Sequence, residues 1–303
     1  MIRYPRPPEP DGLREEARPF EEAASTAIRA WAEAQSRAAA EGGPVEEERA
    51  SRIAALRPRW GKKRDAGELP ELWQKHREPL FRAQGAKCGF CESQAENHPS
   101  AVEHFYPKGE VHLLEEPGPE RRRRGRQVHP IGYYWMAYRW ENWLIACERC
   151  NTGYKRNYLP VGEGEPPLPD PAAPVTPLLL HPFASGADED PEDHLRFTPA
   201  GAAEPRGGSR RGQATIDTCG LNHRPYLAGW RAAAAVRADR AVERLLRAEL
   251  EPDPAAARRA AEELLALGEP SELFAGVVRS RIRDQLPCTW RELKENLDDL
   301  YPG

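Results

Sequence analysis

The sequence predicts an α+β protein in which a small metal-stapled centre is inserted between N-terminal and C-terminal helical regions. Three observations carry this reading. Four of the six cysteines form two Cys-x-x-Cys pairs, Cys88/Cys91 and Cys147/Cys150. Between the pairs the helical spacing of apolar residues disappears and short aromatic runs replace it. On either side, stretches rich in Ala, Glu, Arg and Leu are strong helix formers. The boundaries that follow are a helical region over 1–85, the centre over 86–160, a Pro/Gly-rich connector over 161–220 and a second helical region over 221–303.

In chain order, residues 1–19 are proline-rich and expected to be extended. A helix is predicted from about Phe20 to Ala40, ended by Gly42-Gly43-Pro44, with a shorter one over 45–56. Another is predicted from Pro70 to about Gln84, with Leu72, Trp73, Leu80 and Phe81 as its apolar stripe and Gly85 as its stop. The centre holds the runs VEHFYP, YYWMAYRW and NWLIAC. They read as strand, long loop, strand, then a helix opening near Asn142 or shortly after. Residues 161–213 read as a partly ordered connector with one apolar island, Val175 to Phe183. From about Asn222 a long amphipathic helix runs to EPDP, and a second fits 254–267. A third fits 271–286 with Ser271 as N-cap, and a fourth opens on Thr289 and Glu292, spaced as a capping box.

No apolar run is long enough to span a membrane, and the opening MIRYPRPPEPDGLREE has no apolar core of a secretory signal. A cytoplasmic location is the expectation. Net charge is −4, distributed as −1 over 1–60, +4 over 61–160 and −7 over 161–303. The centre is therefore mildly basic and contains RRRRGR at 121–126, which gains meaning only beside a phosphate-handling site. The acidic balance of 161–303 fits a protein-facing role better than a DNA-facing one.

The two Cys-x-x-Cys turns bracket 55 residues. Each turn aims two thiolates at one point, and two such turns complete a tetrahedral four-thiolate shell for structural Zn²⁺. A redox pair would need only one such turn in a βαβ setting; iron–sulfur binding and unrelated free thiols stay open. Four cysteines leave no open coordination position, so this metal would hold the fold and do no chemistry. Cys219 and Cys288 stand apart and are expected to act as small hydrophobes.

Inside the brackets lie Glu103-His104, then Asn142, then Asn151 directly after Cys150, with Lys155 four residues on. Phosphodiester hydrolysis needs a base to activate water, a role suited to histidine near neutral pH. It also needs a hard cation on the phosphate, for which carboxylate and amide oxygens are suitable ligands. Each residue has a plain reading too: an incidental acid–histidine pair, a helix cap at Asn142, a surface lysine at Lys155. His98, His112 and His129 lie nearby without a spacing that argues for ligation, and His181 reads as a turn residue. The aromatics Tyr133, Tyr134, Trp135, Tyr138, Trp140 and Trp143 favour core packing over base stacking.

The arrangement CGFC…VEHFYPK…YYWMAYRWENWLIACERCNTGYK resembles the HNH endonucleases, of the ββα-metal (His-Me finger) group. More narrowly it is similar to the HNH nucleases of bacterial anti-phage systems: the PtuB subunits of Septu and the HNH proteins associated with retrons. The likeness covers roughly residues 70–160, and extends loosely to IRYPRPPEPDGL, PLLLHPF and ATIDTCGLNHRPYL. It implies a zinc-stapled β-hairpin and helix around a second, catalytic divalent ion such as Mg²⁺. By position it makes His104 the general base, Asn142 the residue that orders the loop, Asn151 a ligand of the ion and Lys155 a phosphate contact. Glu103 stands where an aspartate ligand is usual, one methylene longer. The likeness also implies DNA as substrate and a separate ATPase partner (PtuA-like) or a retron-type complex. The alternative function is a non-catalytic zinc-stapled module that binds nucleic acid or acts as an adaptor; a modification-dependent restriction nuclease would need a reader domain that the flanks do not announce.

Overall fold

The chain enters as an extended strap that packs beneath the centre before the first helix begins. In this computed structural model the described residues are 1–40, 55–61, 68–95, 101–113, 127–162, 175–184, 190–251 and 253–302. Most of the expected 45–56 helix, His98 and the arginine run 121–126 fall outside them. Met1, Ile2 and Tyr4 are buried, and the Tyr4 amide donates to the Pro182 carbonyl (2.7 Å).

Helix α1 spans Leu13–Ala40, so it begins seven residues before the sequence reading and contains Pro19. Leu13, Ala17, Ala24 and Ile28 form a buried stripe across that proline, and burial of such a stripe outweighs one lost helical hydrogen bond. After a parallel pair, β1 (Arg59–Gly61) and β2 (Glu68–Pro70), come α2 (Leu72–Lys75) and α3 (Glu78–Ala83). One helix was expected here. Pro79 supplies no amide to the preceding turn and instead opens the second helix, so the chain breaks at His76–Arg77. Gly85 closes α3 at φ +60°, and a Cβ there would lie 2.9 Å from Ser271 Cα.

Strand β3 (Ala101–His104) pairs antiparallel with β6 (Trp143–Ala146), in register Glu103 opposite Leu144 and His104 opposite Trp143. A second antiparallel pair, β4 (Val111–Leu113) with β5 (Gln127–His129), lies within the long loop between them. The YYWMAYRW run holds one 3₁₀ turn (Tyr134–Met136) and leads into a second (Trp140–Asn142). The second strand of the ladder is WLIA within NWLIAC, with a π-helix (Arg149–Lys155) following it. Every residue of β6 is buried. A strand buried on both faces has no alternation, and its apolar run reads as helix or strand alike.

The residues expected as connector carry a short helix α4 (Pro191–His194), the hairpin of β7 (Leu195–Phe197) and β8 (Ala203–Pro205), and helix α5 (Arg210–Cys219). Gly220 ends α5 in the left-handed conformation. A Cβ there would meet the Tyr154 ring at 2.0 Å, so α5 packs directly on the π-helix. Helices α6 (Pro225–Ala248) and α7 (Pro254–Leu267) match expectation. Helix α8 (Ala275–Gln285) starts later than Ser271, from Phe274 at φ 59°. Helix α9 (Trp290–Glu295) carries the Thr289/Glu292 capping box, and α10 (Leu297–Leu300) follows.

One apolar cluster runs from Met1 and Leu13 through Phe90, Trp143 and Leu180 to Leu227 and Val277. A second fills the space among α6 to α9. The fold is α+β, with small two-stranded sheets set among helices. No helix among the described residues is long and apolar enough to cross a membrane.

Candidate metal centre and catalytic site

Cys88, Cys91, Cys147 and Cys150 converge, with all four Sγ atoms buried and within 4.8 Å of one another. Cys91 and Cys147 Sγ are 3.8 Å apart, the edge length of a tetrahedron with Zn–S bonds of about 2.3 Å. The donor set therefore fits a structural zinc ion. Hydrogen bonds from neighbouring thiols lower Cys91 and Cys147, burial raises Cys88 and hydrogen bonds raise Cys150, so the four thiols share their protons unequally and the fit to a metal rests on geometry. Arg224 Nη2 donates to Cys150 Sγ (3.3 Å), placing a cation against this negative cluster.

The first cysteine turn is bolted to β6 by a buried glutamine. Gln84 Nε2 donates to the Ile145 and Lys87 carbonyls (2.9 and 3.0 Å), and Gln84 Oε1 accepts from the Ile145 amide (2.8 Å). The Gly89 amide donates to the same Ile145 carbonyl (2.8 Å). The second turn continues straight from β6. The cysteines thus staple strand β6 to both the preceding turn and the following π-helix.

His104, at the end of β3, is buried. Its Nε2 lies 3.0 Å from the Ala137 carbonyl, which also accepts from Trp143 Nε1 (2.9 Å). A carbonyl only accepts, so Nε2 carries the proton and Nδ1 is the basic nitrogen. Lys108 Nζ donates to Nδ1 (3.2 Å) and sits 4.3 Å over the Trp73 ring. Trp73 meets the imidazole edge-on at 4.5 Å. Burial, with Lys108 second, pushes His104 well below the usual histidine range, so the ring is neutral at pH 7. Burial likewise lowers Lys108 to about 8.

Asn142 is buried behind this histidine. Its Oδ1 accepts from the Tyr106 amide (2.7 Å), and its Nδ2 donates to the Tyr106 and Met136 carbonyls (3.1 and 2.9 Å). One side chain thereby closes the segment after β3 onto the 3₁₀ turn that supplies Ala137.

Glu103 and Lys155 form a buried ion pair at 2.5 Å, with side chains 3% and 0% exposed. Lys155 Nζ also donates to the His104 carbonyl (3.0 Å). Burial raises the Glu103 carboxyl, and Lys155 opposes that rise. Lys155, expected at a phosphate, is thus turned inward between strand and π-helix. Asn151 is half-buried in the first turn of the π-helix, and its backbone bonds to the Cys147 carbonyl (2.9 Å) and the Arg156 amide (2.6 Å). The structure thus pairs Lys155 with Glu103 and with the backbone carbonyl of His104, while the His104 ring meets Ala137, Lys108 and Trp73. Asn142 is tied to the loop beside them, and Asn151 lies on the same π-helix as Lys155.

Several participants were not singled out from the sequence. Gln84, Arg224, Ala137 and Arg6 act through contacts between residues distant in the chain. Arg6 donates to the carbonyls of Trp140 (2.8 Å), Glu141 (3.0 Å) and Trp143 (3.3 Å) and stacks on Phe183 (4.5 Å). His181 lies 4.5 Å from Phe105, so the outlying stretches IRYPRPPEPDGL and PLLLHPF meet at the back of the strand pair. His112 pairs with Glu110 (3.0 Å) and the Tyr158 ring, away from any group of three His, Cys, Asp or Glu side chains among the described residues. Of the centre's aromatics, Tyr133, Tyr138, Trp140 and Trp143 are buried and Tyr134 and Trp135 pack against that core. Cys219 is buried and Cys288 half-buried.

A mixed α+β chain whose four-cysteine cluster, able to hold zinc, staples a two-stranded antiparallel ladder to the helix that follows: this is the class that fold and site define. Within it, the chain is 35% identical over 141 residues to the Septu protein PtuB of Bacillus mycoides (strain KBAB4). The two are homologous across that stretch, which is 46% of this chain and 43% of the relative, so the match spans less than half of either protein. No family model and no solved structure matches.

Proposed function

We propose that the chain is a metal-dependent HNH endonuclease that hydrolyses DNA phosphodiester bonds, the nuclease effector of an anti-phage system with a separate ATPase partner. The carrying observation is the state of His104: neutral, its Nε2–H fixed on Ala137, its basic Nδ1 aimed at a lysine, on a strand laddered to the cysteine-stapled β6. The similarity to the Septu protein PtuB supports the defence setting.

His104 Nδ1 accepts the proton of the attacking water, and the Ala137 carbonyl holds the ring through Nε2 as charge develops. Lys108, on Nδ1 in the free protein, moves to the incoming phosphate and leaves that nitrogen open to water. Asn142 keeps the Ala137 turn and the Tyr106 segment in fixed relation, which orients the base. Glu103 and Asn151 are the hard oxygen donors that would hold Mg²⁺ or a similar ion, which supplies charge neutralisation at the phosphate. Lys155 balances the Glu103 charge and ties β3 to the π-helix.

The same Lys155–Glu103 pair favours a second reading, a zinc-stapled adaptor without catalysis, because it commits the carboxylate to an internal cation. Cleavage of plasmid DNA with Mg²⁺ or Mn²⁺ separates the two. Wild type should cut, and His104→Ala should be slower by about 10²–10⁴-fold. Equal cleavage by both proteins would retire the catalytic assignment. Affinity purification from the native host should return an ATPase subunit alongside the chain.

A further inference from the structure

Helix α6 has a buried face, Leu227, Arg231, Ala234, Ala238 and Leu245 among it, and an opposite face that no described element covers. On that opposite face Tyr226, Trp230, Arg237, Arg240, Arg244 and Arg247 fall within an arc of about 100° and along about 30 Å of axis. Tyr226 is 80% exposed and Trp230 56%. Arg237 and Arg240 are exposed and, among the described residues, have no carboxylate partner. Arg244 and Arg247 make only exposed pairs, with Glu263 (3.4 Å) and Glu243 (3.5 Å), which exchange readily for phosphate. The acidic total of residues 161–303 conceals this basic stripe.

We infer that the outer face of α6 is a binding surface for single-stranded nucleic acid, bases stacking on Tyr226 and Trp230 and phosphates running along the four arginines. An acidic protein segment would match the guanidinium groups but has no planar group on every repeat unit in step with its charges. A duplex would offer phosphates but keep its base faces stacked inside. A single strand has both. The stripe begins at the candidate site: Arg224, at the entry to α6, holds Cys150 Sγ, and His223 lies against Tyr154 of the π-helix. The inference goes beyond the nuclease reading by naming the form of nucleic acid held, and rests on that reading only for where the strand leads.

The test is fluorescence anisotropy with labelled oligothymidylate, a labelled duplex of equal length and unlabelled polyglutamate as competitor. It uses full-length protein with its zinc, on a His104→Ala background without added divalent ion, so that no cleavage intervenes. Arg237→Glu with Arg240→Glu should weaken oligothymidylate binding at least about tenfold. The milder Arg237→Gln with Arg240→Gln pair should lower the salt slope by about 1.4, or about 0.7 for each phosphate no longer neutralised. Trp230→Ala should weaken oligothymidylate at least about fivefold and leave duplex binding unchanged. All these side chains are exposed, and unchanged melting temperatures will show that the fold is kept. Wild-type affinity retained in the charge variants, no oligothymidylate binding at low salt, or displacement by polyglutamate at lower concentration than by oligothymidylate would each overturn the proposal. Stripe binding without any cleavage by the His104-containing protein would retire the nuclease reading alone; cleavage without stripe binding would retire this one alone.

Discussion

Two lysines set the state of the candidate catalytic residues. Lys155 neutralises Glu103, and Lys108 occupies the basic nitrogen of His104. Removing one member of a buried pair leaves the other charged and unsolvated. Lys155→Met should therefore destabilise by about 3–5 kcal/mol in urea titration. Adding Glu103→Gln should recover much of that loss, because the double variant buries no charge. A double variant no more stable than Lys155→Met would show the pair to be energetically silent. Asn142→Ala removes three hydrogen bonds and strands the Tyr106 amide and carbonyl, while the Met136 carbonyl keeps the Arg139 amide. A cost of about 2–4 kcal/mol is expected, measured the same way. His104 was singled out from the sequence because the cysteine turns, Asn142 and Asn151 around it resemble the HNH motif; the acid–histidine pair alone would not have marked it. The partners of Glu103 and His104 were not, since lysines four residues past each motif read equally well as surface charges.

At the scale of elements, the cysteine turns join pieces too short to stand alone. Strands β3 and β6 have four residues each and the π-helix seven. Such a ladder is marginal in water without further closure. Metal analysis should find about one tightly held zinc per chain. Cys88→Ser or a strong chelator should release it and lower the melting temperature together. Unchanged stability after zinc loss would mean that packing of Phe90, Leu144 and Trp143 suffices on its own. Element positions were legible where local chemistry decides them, as at the Thr289/Glu292 capping box and over α7. They were misread where burial decides: at Pro19 inside α1, at β6 and in the hairpin of β7 and β8.

Across the whole molecule, buried histidines couple stability to pH. His181 is pushed well below the usual histidine range by burial, then by Arg6 and Lys155. Its Nδ1 accepts from the Phe183 amide (3.0 Å), which needs the neutral ring. A depressed histidine binds fewer protons in the folded than in the unfolded state below about pH 6.5, so stability must fall as pH drops through that value. Melting temperature should be flat between about pH 7 and the Lys108 value of about 8, and decline below about pH 6.5. His181→Gln should flatten part of that decline; an unchanged profile would assign the acid sensitivity to other groups.

By itself, the sequence determined the α+β class, the four thiolates of the metal centre, the first strand and the helices that follow residue 222. These depend on short-range spacing and on intrinsic propensity, which a linear chain displays. Only the tertiary structure decided that Lys155 turns inward to Glu103 and that Ala137 fixes the His104 tautomer. It also decided that four arginines of α6 share one exposed face, two of them, Arg237 and Arg240, without a carboxylate partner among the described residues. These outcomes depend on which side chains, far apart in the chain, share one low-dielectric pocket or one exposed face. That is set by how the apolar surfaces close, not by any local run of residues.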